Sequence, residues 1–316
     1  MEPTMTSASL QESKTAPGGD GFRLPDSAQI GYVHLQVSDL QRALRFYETL
    51  VGLKRAFEDG STVYLSASEK SPILVVLSER SGARPKPARS TGLYHVAIRF
   101  PSRRELAKVF YRLYRNDAAF QGFSDHLVSE AIYLADPDGN GVELYSDRPR
   151  KEWVMRENQV QMATEPLDLD NLVAELSEED KSAAVVHPNT DLGHIHLHVS
   201  DLISSETFYS GLLGFDVTQR TYPGALFLSA GGYHHHIGIN VWAGRGAPPP
   251  PPDAVGLLRT GIYVPTAKAM TVLENRFAEN KLPFEAEQHD RLAARIIRVK
   301  SPDELAVEFF TNDSLS

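Results

Sequence analysis

The chain contains no cysteine in 316 residues. That absence removes disulfides, zinc–thiolate centres and thiol nucleophiles together, so any bound metal must be held by His, Asp or Glu. Long apolar runs are missing too: no uninterrupted stretch reaches the 18 residues that would suggest a membrane-spanning helix, and no membrane partner is expected. The opening MEPTMTSASLQESKTAPGGDG lacks the apolar core of a secretion signal. It is small, polar and glycine-rich, and residues 1–27 are expected to form a disordered tail. A cytoplasmic location follows as an expectation. Positive charge is in deficit, with 32 Lys and Arg against 41 Asp and Glu for a net charge of −9, which argues against nucleic acid as a partner.

Histidine, by contrast, is present and unevenly spread. Seven of the eleven fall between His187 and His236, and GGYHHHIGIN (231–240) carries three in a row. A strand turns successive side chains to opposite faces, so His234, His235 and His236 cannot all reach one ion.

The chain also repeats itself, and internal repeats decide architecture before any motif does. IGYVHLQVSDLQRALRFYETLVGL (30–53) matches LGHIHLHVSDLISSETFYSGLLGF (192–215) almost residue for residue. Each has an alternating strand, a Ser-Asp helix cap, and a helix that carries Phe-Tyr and closes at glycine. Fainter copies open at GLYHVAIRF (92–100) and GLLRTGIYV (256–264), and short extended runs follow every helix. The unit reads βαβββ, four times over, which predicts an α+β fold. Polar or proline-rich breaks at 80–90, 172–181 and 247–253 separate the copies. Regions 28–150 (modules 1 and 2) and 191–312 (modules 3 and 4) are therefore expected, with 151–190 as a linker.

Equivalent positions in the four copies can be compared directly. Six residues before Ser38, Pro101, Ser200 and Pro265, on each first strand, stand Tyr32, His95, His194 and Arg259. Six residues beyond the proline of an Asp/Ser-Pro-Asp turn, on a last strand, stand Glu143 and Glu308. Two histidines and one carboxylate form the facial triad that holds Fe(II) and leaves positions open. Module 2 supplies His95 and Glu143, and module 3 supplies His194, so one complete site is expected between modules 2 and 3. His34 is the rival ligand, but it sits two residues past the ligand position and matches His196. The remaining set, Tyr32, Arg259 and Glu308, cannot hold a metal in the same way, because an arginine does not ligate and would rather pair with the glutamate.

The segment DHLVSEAIYLADPDGNGVELY (125–145) resembles the extradiol ring-cleaving dioxygenase signature of the vicinal oxygen chelate superfamily, with His126, Tyr133, Asp136, Pro137, Gly139 and Glu143 in the expected places. LGHIHLHV and YHVAI are similar to the two ligand-bearing strands of that group. The chain from about 28 to 312 looks most like the bacterial catechol-2,3-dioxygenases with two such regions, although their best-known relatives take ligands from the third and fourth modules. The resemblance implies two glyoxalase-like half-barrel domains and an Fe(II) cofactor, with Mn(II) accepted by the same N/O set. It implies a small aromatic diol and O2 as substrates, with His126 and Tyr133 bonded to the substrate oxygens. In HHHIG it points to His235 as the residue that moves a proton beside the metal. His196 and His198 share the strand face of His194 and are expected, with His236, to line the substrate pocket; His234 is read as a bystander. His187 and His289 lie in polar surroundings and are expected at the surface. Two other readings fit the same scaffold: a glyoxalase-like metal-dependent isomerase or transferase, and a non-catalytic protein that binds aromatic ligands. A homo-oligomer is compatible with all three.

Overall fold

Asp39 and Asp201, the aspartates of the repeated Ser-Asp pair, each sit in extended conformation and accept a backbone N–H three residues on, from Arg42 at 2.9 Å and Ser204 at 2.8 Å. That bond satisfies an amide the first helical turn leaves orphaned. The helices they start begin as α (α1, Leu40–Leu44) and widen into π turns (Arg45–Val51), a pattern repeated by Leu202–Glu206 and Thr207–Leu212. The Phe-Tyr pairs, Phe46-Tyr47 and Phe208-Tyr209, are buried in the core. Gly52 and Gly214 end these elements with φ of 93° and 89°, values that cost a side chain dearly.

These coordinates, a computed structural model, describe residues 21–157, 159–289 and 294–311. Residues 1–20 of the expected tail and the side chain of His289 lie outside them. Phe22 and Leu24, from the end of that tail, pack onto the core, and the Leu24 amide donates to the Gly214 carbonyl at 3.0 Å.

The first module comprises β1 (Gln29–Val37), α1, β2 (Lys54–Asp59), β3 (Thr62–Ser66) and β4 (Ile73–Glu79). The second comprises β5 (Gly92–Phe100), α2 (Arg103–Arg115), β6 (Phe120–Asp125), β7 (Ser129–Ala135) and β8 (Gly141–Asp147). Between the halves lie the two-residue strands β9 (Met155–Arg156) and β10 (Gln159–Val160) and the short helix α3 (Leu169–Val173). The third module holds β11 (Asp191–His198), α4 (Leu202–Glu206 with its π extension), β12 (Asp216–Gln219), β13 (Ala225–Ser229) and β14 (Ile237–Asn240). The fourth holds β15 (Gly256–Tyr263), α5 (Ala267–Glu279), β16 (Phe284–His289), β17 (Ala294–Lys300) and β18 (Ala306–Thr311). All four predicted βαβββ units are present.

The two large sheets cut across the sequence halves. One runs β16-β17-β18-β15-β1-β4-β3-β2 and joins module 4 to module 1; the other runs β12-β13-β14-β11-β5-β8-β7-β6 and joins module 3 to module 2. Each is closed at its middle by an antiparallel pair of first strands, β1 with β15 and β11 with β5. The registers coincide: Tyr32 faces Gly261, which faces Glu308, while His194 faces Ala97, which faces Glu143. The same places on two sheets thus carry different chemistry.

Repeated contacts bind the modules. Asp138 of the DPDGN turn accepts from the Ser38 amide at 2.9 Å, and Asp303 of the SPDE turn accepts from the Ser200 amide at 3.1 Å. Arg112 donates to the Leu50 carbonyl and Arg276 to the Leu212 carbonyl, both at 2.8 Å, so each long helix is pinned to the end of a π turn. The breaks at 80–90 and 247–253 meet each other through Arg84 and Asp253, paired at 2.6 and 2.8 Å. A single apolar core draws side chains from all four modules. Among the described residues no helix is long and apolar enough to cross a membrane.

Candidate metal centre

His95 on β5, Glu143 on β8 and His194 on β11 converge, with ligand atoms within 4.8 Å of one another and all three residues buried. One carboxylate oxygen, Glu143 Oε2, lies 3.0 Å from His95 Nε2 and 3.1 Å from His194 Nε2. His34, the rival, is on the other sheet and bonds Ser78 Oγ at 2.7 Å.

Why the strands bring these three together is a matter of register and pleat. His194 and Glu143 flank Ala97 across the sheet, so the small side chain between them leaves room, and His95 reaches the same point from two residues away on Ala97's own face. Gly193 precedes the ligand because a Cβ there would fall 1.5 Å from the Tyr145 hydroxyl oxygen.

The protonation states suit a cation. Burial pushes the His194 imidazole down to about 4. Burial alone would raise the Glu143 carboxyl, but His194 and His95 beside it hold it well below its usual range. Most telling is His95 Nε2: although 3.0 Å from the carboxylate, it is out of alignment for a hydrogen bond and has no other partner. A buried ring nitrogen aimed at a carboxylate without bonding to it is the arrangement a shared cation would satisfy. The donor set, two imidazoles and one carboxylate, matches Fe(II) or Mn(II) better than Mg(II) or Ca(II), which prefer oxygen.

The same positions on the other sheet are filled differently. Glu308 is buried, accepts from Tyr32 Oη, and is met by Arg259 at 3.1 Å and Arg298 at 2.6 Å. The arginine–glutamate pairing expected from the sequence is present. With two guanidiniums and a phenol on its oxygens, this carboxylate has nothing left for a metal.

The centre lies at the bottom of a cavity of about 350 Å³. Of the residues singled out in the sequence, His126, Tyr133, His196 and His235 line it together with the triad, while His198 and His236 do not. The expectation that they would is corrected by geometry. His198 lies further out along β11, against Tyr94 and bonded to Asn240 Oδ1 at 2.7 Å. His236 lies in the bend just before β14, with its ring held away from the cavity. Its Nδ1 accepts from the Ala230 amide at 3.1 Å and lies 3.2 Å from Ser229 Oγ. His187 is half-buried, its Nδ1 accepting from the Asn189 amide at 3.1 Å.

His126 Nδ1 is 2.6 Å from the Ala163 carbonyl, which can only accept, so that nitrogen carries a proton. Nε2 of the same ring is 2.7 Å from Tyr133 Oη. Burial and the neighbouring Glu143 push the Tyr133 phenol well up, which keeps it protonated. His235 packs against His194 in a tilted arrangement, ring centroids 4.1 Å apart and planes at 44°. Burial drives His235 and His196 far below the ordinary histidine range, so both are neutral.

Several lining residues were not singled out in the sequence. Met162, Ala163 and Thr164 come from the segment expected to be a linker, which also buries Val160 and Leu172. Aromatic walls come from Tyr94, Tyr222, Phe227 and Trp242, with Tyr94 and Trp242 in edge contact at 5.5 Å and both partly exposed. The scarcity of tryptophan, two in the chain, was the one available signal for Trp242; nothing in the residue pattern pointed to 162–164.

His236 and His34 give an acid-stability prediction. Burial lowers them to about 3 and about 4, below the unfolded value near ~6.5. The unfolded chain therefore binds more protons between those limits, and the stability contributed by the neutral rings is complete above ~6.5 and lost as pH falls. Each group should lower unfolding free energy by at most roughly 1.4 kcal/mol per pH unit. Denaturant midpoints measured at about pH 7.5 and about pH 5 should fall with acid, and less so in His236→Gln. A midpoint equal at both pH values would contradict this.

Comparisons with known proteins identify the family. The family model described as Glyoxalase/Bleomycin resistance protein/Dioxygenase superfamily matches residues 29–144 and 191–309, together more than half of the chain. The chain therefore belongs to that superfamily. Within it the chain is similar to the Bacillus subtilis catechol-2,3-dioxygenase, 42% identical over 282 residues, 88% of this chain and 95% of the relative. Biphenyl-2,3-diol 1,2-dioxygenase 3 of Rhodococcus globerulus is 26% identical over 120 residues, 38% of this chain and 63% of that one. Among solved structures, a Bacillus subtilis protein matches with a TM-score of 0.62 at 13% identity, covering 93% of this chain and 87% of the other. Maize glyoxalase I matches at 0.54 and 16% identity, covering 90% and 93%. The last two are likenesses of fold.

Proposed function

We propose that the protein cleaves a catechol-type aromatic ring beside the two hydroxyls, using Fe(II) and O2. The observation that carries the reading is the convergence of His95, Glu143 and His194 at the floor of an aromatic-walled cavity that also holds His126, Tyr133 and His235. Fe(II) held by these three residues would supply open positions for the diol oxygens and O2, with one carboxylate leaving the site net positive and favourable to a catecholate.

The chain's own residues then have separable tasks. Tyr133, whose hydroxyl lies 2.7 Å from His126 Nε2, is placed to bond a substrate oxygen, and His126 is oriented behind it by the Ala163 carbonyl. The aromatic walls of Tyr94, Tyr222, Phe227 and Trp242 take the ring and exclude water. His235, neutral and packed on His194, takes up a proton at the ring nitrogen that meets the cavity and later returns it.

The test is oxygen uptake by protein purified without oxygen and reconstituted with Fe(II), Mn(II) or no metal. With catechol, Fe(II)-loaded protein should consume O2 and form a yellow ring-cleavage product, and a chelator should abolish both. Metal-loaded protein that consumes no O2 with any catechol would end the proposal.

A further inference from the structure

His234 is buried and does not line the cavity, yet it touches the residue that does. Its Nδ1 lies 2.7 Å from Nδ1 of His235, and its Nε2 lies 3.0 Å from Asp147 Oδ1. Asp147 closes β8, four residues beyond the ligand Glu143, and is itself held on several sides. Tyr233 Oη donates to both of its oxygens at 3.1 and 2.9 Å, Arg99 reaches it at 3.2 Å, and Tyr145 lies 2.7 Å behind Tyr233. We propose that His234 is a positioning residue: clamped by Asp147, it fixes both the ring and the tautomer of His235, so that an unprotonated Nε2 faces the cavity.

Donor counting leads there. A carboxylate only accepts, so His234 Nε2 carries the proton of that bond. Only one proton can lie between the two Nδ1 atoms 2.7 Å apart, and the arrangement that puts a single proton on each ring gives it to His235 Nδ1, with His234 Nδ1 accepting. A neutral His235 protonated at Nδ1 has its lone pair at Nε2, the one ring nitrogen left to meet the cavity. Burial alone would raise the Asp147 carboxyl, but the hydrogen bond from His234 and the charge of Arg99 hold it low, so it is an acceptor throughout the neutral range. The polarity of the chain is set at Asp147 and transmitted through two imidazoles. The three adjacent histidines divide accordingly: one meets the cavity, one orients it, and His236 is locked into the sheet by the Ala230 amide.

The kinetic part of the test rests on the dioxygenase reading; the spectroscopic part does not. Protein labelled with 15N-histidine and loaded with Zn(II), which is diamagnetic, reports the tautomer by NMR, the His235 signals being assigned by their loss in His235→Gln. Wild type should show a protonated Nδ1 and a bare Nε2 on His235; the reverse overturns the proposal. His234→Leu should mix the two tautomers and lower kcat on Fe(II)-loaded protein roughly 10- to 100-fold, the range of outer hydrogen-bond partners, with metal content and KM for catechol unchanged. In His234→Gln an amide can accept from His235 and donate to Asp147, and most of kcat should return. Undiminished kcat in His234→Leu, or equal damage in both variants, would refute it. Should His234→Leu fail to fold, wild type and His234→Gln still decide.

Discussion

Glu143→Ala should emerge from reconstitution with little bound metal and no measurable ring cleavage. Among the described residues the carboxylate is the only anion at the centre, and its Oε2 is the point at which the two imidazoles meet, 3.0 and 3.1 Å away. Without it two imidazoles remain, too weak a set to hold a divalent ion against water. The control is built into the chain. Glu308 occupies the matching place on the other sheet but is satisfied by Arg259, Arg298 and Tyr32. Glu308→Ala should therefore leave metal content at one ion per chain while lowering stability by roughly 1–3 kcal/mol, because Arg259 loses its counter-charge and Tyr32 its acceptor, whereas Arg298 keeps Glu285 and Glu287. Metal analysis and denaturation of the two variants separate the cases. Two ions per wild-type chain, or full metal in Glu143→Ala, would show that the centre is misassigned.

His235→Ala should keep its metal and lose turnover. The ring packs against His194 without sharing in the triad, and its neutral state at pH 7 lets it exchange a proton near the reacting atoms. Removing a positioned acid or base of this kind costs roughly 10²- to 10⁴-fold in kcat. KM for catechol should change little, because Tyr133 and the aromatic walls remain. A variant that retains full kcat would limit His235 to packing, and one that loses its metal would make it a structural support of His194.

The site was legible to the extent that it is repetitive. Superposing four first strands isolated His95 and His194 from nine other histidines, and the two Pro-Asp turns located Glu143 and Glu308, because strand register and turn geometry are local properties that survive duplication. Arg259 was likewise readable as the residue that empties the second site. The helix caps at Asp39 and Asp201 and the closing glycines were visible for the same local reason.

Contacts between segments distant in sequence were not legible. Period two puts His198 on the strand face of His194, and His236 neighbours His235, yet where a cavity ends is decided by what lies above the sheet. The stretch 151–190 looked like a connector, since polar, unpatterned residues carry no periodic signal; only folding brings Met162–Thr164 over the cavity and the Ala163 carbonyl to His126. Asp147 and His234 are 87 residues apart and meet because β8 and the approach to β14 flank the same pair of central strands. The sequence by itself determined the repeating unit, the positions of His95, Glu143 and His194 that converge in the fold, and the Arg259–Glu308 pairing at the equivalent place, all carried by short-range pattern. Which histidines face the substrate, what walls surround it and what holds His235 in place were decided by tertiary structure alone, since long-range packing and donor–acceptor pairing leave no periodic trace in a single chain.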